Sequence, residues 1–247
     1  MVWMGAALAA VALQPTVAVI DTGADVRVPE IAAARPLTYD IRTRTRDVRD
    51  VNGHGTEVAR IVARESGGAK LIVIRAGSSS GAFSDANEAA AIRYAVDHGA
   101  RILNLSLGGP RTSTVERSAV RYAIARGALV VAAAGDDYAA RPEYPAALLG
   151  QNGLAVAAVT GTGTRAAFSN TGPWVSIAAL GERGTSFAAP LVSAAAARVW
   201  RANPRLSARQ VVSILQQTAA GRGTRNDEVG YGAVDVAAAV ARALAFR

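Results

Sequence analysis

Gly184-Thr185-Ser186-Phe187-Ala188-Ala189-Pro190 stands directly ahead of an alanine-rich run that reaches Ala202. The residues are small, so backbone or a substrate can approach closely. Ser186 falls at the mouth of the expected helix, near unpaired N–H donors and the positive end of the helix dipole. That environment favours a developing negative charge. A Thr-Ser pair ahead of an apolar run also reads as an ordinary helix N-cap. The two readings separate only if the rest of the chain supplies a base, a group to orient it and a site for an oxyanion.

Outward from that stretch, short apolar runs alternate with helical patterns. Thr16 to Ile20 (TVAVI) is β-branched and ends at Asp21-Thr22-Gly23, as a buried parallel strand does when it delivers a polar residue at its edge. Further strands are expected at Arg35–Ile41, Lys70–Arg75, Arg101–Leu107, Ala128–Ala134, Leu154–Thr160 and Trp174–Ala178. Helices are expected from His54 to Glu65, Ser84 to His98 (with Asp85 and Glu88 as a capping box), and Thr114 to Arg126. Three more follow at Thr185–Ala202, Ser207–Ala219 and Val234–Ala245. Such alternation implies a mostly parallel sheet covered on both faces, a three-layer α/β/α fold. Chemistry in such sheets lies at the carboxyl ends of the strands, where Asp21, Gly77–Gly81, Gly108–Gly109 and Gly135–Asp136 fall. No break in composition marks a linker, so residues 1–247 read as one domain.

Composition narrows the function. Half of the 247 residues are apolar, enough for a sizeable core, and the absence of cysteine excludes disulfides and thiol chemistry. The net charge of +8 is carried almost wholly by arginine, with Lys70 the single lysine. Arg42, Arg44, Arg46 and Arg49 cluster without interleaved aromatics, which reads as a solvated loop rather than a nucleic-acid surface. The apolar stretch in Met1–Leu13 has no positive n-region and is read as a short helix from Gly5 to Leu13; no run is long enough to span a membrane.

A hydroxyl is a poor nucleophile until a base takes its proton; an imidazole suits that task, and a carboxylate fixes its tautomer. Of the two histidines, His98 closes a helix, whereas His54 is flanked by glycines that let other backbone come close. Val-Ile-Asp21-Thr-Gly, Asn-Gly-His54-Gly-Thr and Gly-Thr-Ser186-Phe-Ala-Ala-Pro resemble the three catalytic blocks of the subtilisin-like serine proteases, in that family's Asp…His…Ser order. Asn104–Pro110, Ala132–Gly135, Phe168–Gly172 and Gly230–Asp235 match supporting blocks, so the resemblance covers nearly the whole chain. It implies the subtilisin-like fold and a monomeric serine endopeptidase acting on proteins or peptides through Asp21, His54 and Ser186. It also implies that Ser106, Leu107, Gly108 and Gly109, with Ala133, Ala134 and Gly135, wall the pocket for the residue before the scissile bond. Gly108 and the loop near Gly81 would pair with the substrate backbone as an added strand does. Walls of glycine and alanine suggest an apolar or aromatic occupant. Relatives are usually secreted, although no signal is evident here. No cofactor is required, and structural calcium has no supporting acidic loop. An aspartic-protease reading of Asp21-Thr-Gly-Ala24 needs a second copy, which the chain lacks.

The chain departs from the family in three places. The family usually has asparagine after Ala-Ala-Gly, donating to the oxyanion beside Ser186; here Asp136 stands there. Ionised, it repels that charge; protonated through burial and the nearby Asp137, it donates, which implies weak turnover at neutral pH or a preference for lower pH. Glu57 and Arg60 replace a usual His and Gly after His54, and read as an exposed pair rather than a tuner of His54. The segment from Ala179 to Arg183 is shorter than the hairpin of relatives. An attenuated protease serving as a peptide-binding module is the runner-up; nucleic-acid binding through the arginines is a third reading.

Overall fold

All the runs read as strands enter one sheet. The computed structural model describes residues 14–246, so the expected helix from Gly5 to Leu13 lies outside the described residues. The strands are β1 (Thr16–Asp21), β2 (Leu37–Asp40), β3 (Lys70–Arg75), β4 (Ile102–Leu105), β5 (Leu129–Ala133), β6 (Gly153–Val159) and β7 (Ile177–Leu180). They lie in the order β2-β3-β1-β4-β5-β6-β7, and every pairing between neighbours is parallel. The helices are α1 (Pro29–Ala33), α2 (His54–Glu65), α3 (Asp85–Asp97), α4 (Thr114–Ala125), α5 (Thr185–Ala202), α6 (Ala208–Thr218) and α7 (Val236–Ala245).

Alternation along each strand sorts the side chains into two cores. Val17, Val19, Leu71, Val73, Leu129 and Val131 face one way, against α2, α5 and α6. Ala18, Ile20, Ile72, Ile74, Leu103 and Leu105 face the other, against α3 and α4. The three-layer α/β/α arrangement follows, with the carboxyl ends of all seven strands along one edge. β3 begins with exposed Lys70, at the opposite edge.

Helix α5 is largely buried against the sheet, and its alanines allow that close approach. Near its end Trp200 is buried; its indole N–H donates to the Leu206 carbonyl at 2.7 Å, and the Arg101 guanidinium lies 4.1 Å over its ring.

Several boundaries differ from the sequence reading. The strand expected at Trp174–Ala178 begins at Ile177, because Ser176 takes both backbone groups of Ala155: its hydroxyl accepts from the Ala155 N–H and its N–H donates to the carbonyl. The second strand shortens to Leu37–Asp40, after Arg35 turns at φ +46°. Helix α1, opened by Pro29, escaped the pattern because it is one turn and a half long. The expected capping box of Asp85 and Glu88 is replaced by Ser84, which accepts from the Asn87 N–H at 3.2 Å, while Glu88 is buried.

The Trp200 anchor gives a test. Trp200→Ala is expected to lower stability by about 3–5 kcal/mol and Trp200→Phe by about 1 kcal/mol, since the Phe keeps most of the packing and loses one hydrogen bond, the Leu206 carbonyl retaining Arg101 as a donor at 3.2 Å. Denaturant midpoints at unchanged slope measure both.

Candidate functional site

Strand β1 delivers Asp21 to the carboxyl edge of the sheet, fully buried. Its Oδ1 accepts from the Thr22 N–H at 2.7 Å and meets His54 Nδ1 at 2.8 Å; Oδ2 is buried with no partner. Burial raises the Asp21 pKa, and the hydrogen bond and charge of His54 oppose that rise. The same hydrogen bond raises the His54 pKa, against the opposing effect of desolvation, with Asp21, Asp50 and Asp136 adding to the rise. With Nδ1–H directed at Asp21, the neutral imidazole keeps Nε2 as an acceptor.

His54 is the first residue of α2, and tight packing brings it to Asp21. A Cβ at Gly55 would stand 2.2 Å from the Gly23 carbonyl, so only glycine lets the helix start come this close. The helix has no cap from Gly53. Asp50 supplies one: Oδ2 accepts from the Thr56 N–H (2.8 Å) and hydroxyl (2.7 Å), and Oδ1 from the Gly53 N–H and the Thr22 hydroxyl (both 2.9 Å). Burial pushes the Asp50 pKa up, but these four donors together hold it below the usual value. Thr22 in turn accepts from the Gly55 N–H at 3.0 Å, tying β1 to α2.

Ser186, half-buried, is the second residue of α5. Pro190 lies four residues on and has no N–H, so the Ser186 carbonyl loses its partner within the helix. The Ser106 hydroxyl replaces it at 2.7 Å. Behind Ser106, Asn104 Nδ2 donates to that hydroxyl at 2.9 Å, and Ser193 donates to Asn104 Oδ1 at 2.8 Å. The Ser186 hydroxyl donates to the Ser106 carbonyl at 3.2 Å rather than to His54. Phe187 packs on His54 with ring centroids 5.6 Å apart.

Two clefts meet here. One, lined by His54, Gly81, Phe83 and Ser106, shares Leu107 and Gly108 with a second that holds Ser186, Thr185, Ala133, Gly135 and Asp136. Two of the expected wall residues fall elsewhere. Ala134 points to the opposite face from Ala133 and is buried with Ala157 and Val159. Gly109 exchanges both backbone hydrogen bonds with Tyr144, at 2.9 and 2.8 Å, so it lies behind the wall. Glu57 pairs with Arg60 (3.6 Å) and Arg183 (3.7 Å) at the surface.

Asp136 is exposed rather than buried, and its Oδ1 accepts from the Thr185 N–H at 2.8 Å. It caps α5, whose N-cap Gly184 has no side chain to do so. The burial that the expectation of a protonated donor assumes is not found. Sequence reasoning missed Asp50, Thr22 and Glu143, which also lines the second cleft; the signal for Asp50 was its place three residues before a glycine that cannot cap. Among the described residues no group of three or more His, Asp and Glu is placed to hold a metal ion.

Comparison with known proteins places the chain among relatives. A family model described as the subtilase family, peptidase S8, matches residues 14–232. A thermophilic serine proteinase of Bacillus sp. (strain AK1) is 34% identical over 84% of this chain and 58% of its own length. The halolysin-like extracellular serine protease Nep of Natrialba magadii is 36% identical over 76% of this chain and 38% of its own. The chain thus spans well under two thirds of either relative. The crystal structure of a cold-adapted subtilisin-like serine proteinase superposes with a TM-score of 0.78 at 29% identity, over 91% of this chain and 88% of that one.

Replacing Asp50 isolates its capping role. Asp50→Ala is expected to cost about 1–2 kcal/mol at pH 7. Because the folded pKa is depressed, the carboxylate's contribution is present above its unfolded value near 4 and is lost as pH falls through the folded one. The stability gap between the two proteins therefore narrows in acid, which unfolding curves at pH 7 and below pH 4 measure.

Proposed function

The chain belongs to the subtilase family, and on that premise we propose that it is a serine endopeptidase that forms an acyl-enzyme on Ser186, with His54 as general base and Asp21 holding its tautomer. The observation that carries the reading is the 2.8 Å contact of buried Asp21 with His54 Nδ1, on a cleft continuous with Ser186. Ser186 Oγ attacks the peptide carbonyl carbon while its proton passes to His54 Nε2. The oxyanion forms near the Ser186 N–H, one of the donors at the start of α5 with no partner inside the helix. His54 returns the proton to the departing amine, and water repeats the sequence on the ester. Protein or peptide substrates follow from this chemistry. Secretion is the compartment it favours, supported by a relative named as extracellular.

Asp136 is where this chain parts from the usual arrangement. Its Oδ1 is held by the Thr185 N–H, and its side chain carries no amide N–H to offer the oxyanion. A peptide-binding module with attenuated turnover is the second reading, and this carboxylate is the observation that favours it.

A fluorophosphonate probe is expected to label the protein and not Ser186→Ala, with labelling falling in acid as the raised pKa of His54 is crossed. No labelling anywhere between about pH 5 and 9, a window that brackets histidine titration, would remove the catalytic reading in favour of the binding module. Asp136→Asn keeps an acceptor for Thr185 and adds an amide donor. It is expected to raise neutral-pH kcat by up to about 10²-fold, the scale of one oxyanion donor, as initial rates on a peptide ester would record; unchanged rates contradict the role given to Asp136.

A further inference from the structure

The cleft beside Ser186 encloses about 250 Å³, room for one long side chain rather than a drug-sized ligand. Its glycine and alanine walls suggest an apolar guest, but Glu143 enters from a loop the pattern does not connect to the site. Glu143 is 8% exposed, and its Oε2 is buried without a hydrogen-bond partner. Its side chain lies across both glycine walls. A Cβ at Gly108 would stand 2.8 Å from Glu143 Oε1, and one at Gly135 would stand 3.1 Å from Glu143 Cγ. The carboxylate takes this place because Gly108 lacks a side chain, and Gly135 leaves room for its stem. The paired hydrogen bonds between Gly109 and Tyr144 hold the loop against the wall.

Among the described residues no cation forms an ion pair with this carboxylate; the nearby Arg141 is half-exposed and pairs with Asp137 at 3.0 Å. Asp136 is already engaged by the Thr185 N–H. A buried carboxylate with an idle oxygen is costly unless a partner arrives, and the open side of this one is the substrate cleft.

We propose that Glu143 determines specificity in this cleft by receiving the guanidinium or ammonium of an arginine or lysine that precedes the scissile bond. The assignment rests on the endopeptidase reading of Ser186 and adds its substrate class. Arginine is the better guest, because its planar fork can engage both carboxylate oxygens while a lysine offers a point charge. In the empty cleft burial, aided by Asp137 and Asp136 and opposed by Arg141, pushes the Glu143 pKa to about 7. From Gly108 and the start of α5, the other walls, no titratable side chain faces it. An arriving cation favours the ionised form, so discrimination strengthens as pH rises through that value.

The test compares peptides that differ only in Arg, Lys, Leu or Phe before the cleaved bond, with kcat/KM measured for the wild type and Glu143→Gln from pH 6 to 9. The wild type is expected to prefer Arg over Leu by about 10- to 100-fold at pH 8, the range of a charge-assisted hydrogen bond. The Arg-to-Leu ratio should grow between pH 6 and 8; titration of His54 acts on both substrates and cancels in it. In Glu143→Gln the ratio should fall at least tenfold and lose its pH dependence, whereas a merely structural role would lower both substrates alike. Equal or apolar preference in the wild type, or an unchanged ratio in an active Glu143→Gln, overturns the proposal and leaves the protease intact. Calorimetric binding of benzamidine to Ser186→Ala, with and without Glu143→Gln, covers the other case. If no peptide is cleaved but benzamidine binding depends on Glu143, the cation site stands and catalysis falls. If no peptide is cleaved and benzamidine binding is absent or indifferent to Glu143, the cation site falls too.

Discussion

A buried amide on the central strand holds the central helix in register. Asn104 sits in the fourth of seven strands, fully buried, and accepts from Ser193 of α5 while donating to Ser106. A buried amide tolerates little slippage, because a shift of either element strands polar atoms in a dry interior. Ser186 lies two helical turns before Ser193, roughly 10 Å along the axis. Pro190, between them, leaves the Ser186 carbonyl for Ser106 to hold. The position of Ser186 thus follows from hydrogen bonds made beneath it.

The two helices that open on the site share a second constraint. Both α2 and α5 begin after a glycine at positive φ that has no capping side chain, and both take their cap from elsewhere. Asp50 serves α2 from three residues before that glycine, and Asp136 serves α5 from the end of β5. The first cap lies behind the chemistry and firms it. In the reaction proposed above the second lies beside the oxyanion, so the group that settles the helix also bears on that reaction. Asp21, by contrast, spends its charge on His54 and is shielded from substrate.

How much of this was legible follows from how far each side chain's direction is set locally. Val17, Ala18, Val19 and Ile20 announce a buried strand by composition, and their alternation between two cores is fixed by the pleat. Ser186 was readable only with Asp21 and His54, through motifs in family order. Ala134 and Gly109 were counted as walls because they adjoin residues that are; the pleat turned one away, and Tyr144 claimed the backbone of the other. Glu143 was invisible for the opposite reason. Its side chain falls between Gly108 and Gly135, and no local period records a meeting of three separate segments. Asp136 was read as an acid beside an oxyanion; that its partner is Thr185 required knowing where α5 begins in space.

The single lysine has a practical consequence. Lys70 is exposed at the first residue of β3, paired in register with Thr16, while Asp21 sits at the far end of the same pairing. Five residues of strand place the Lys70 backbone roughly 17 Å from the edge that carries Asp21. Among the side chains, amine-reactive coupling to a solid support therefore has one lysine to find. A molecule tethered through it would stand with its cleft turned to the solvent, every copy presented the same way.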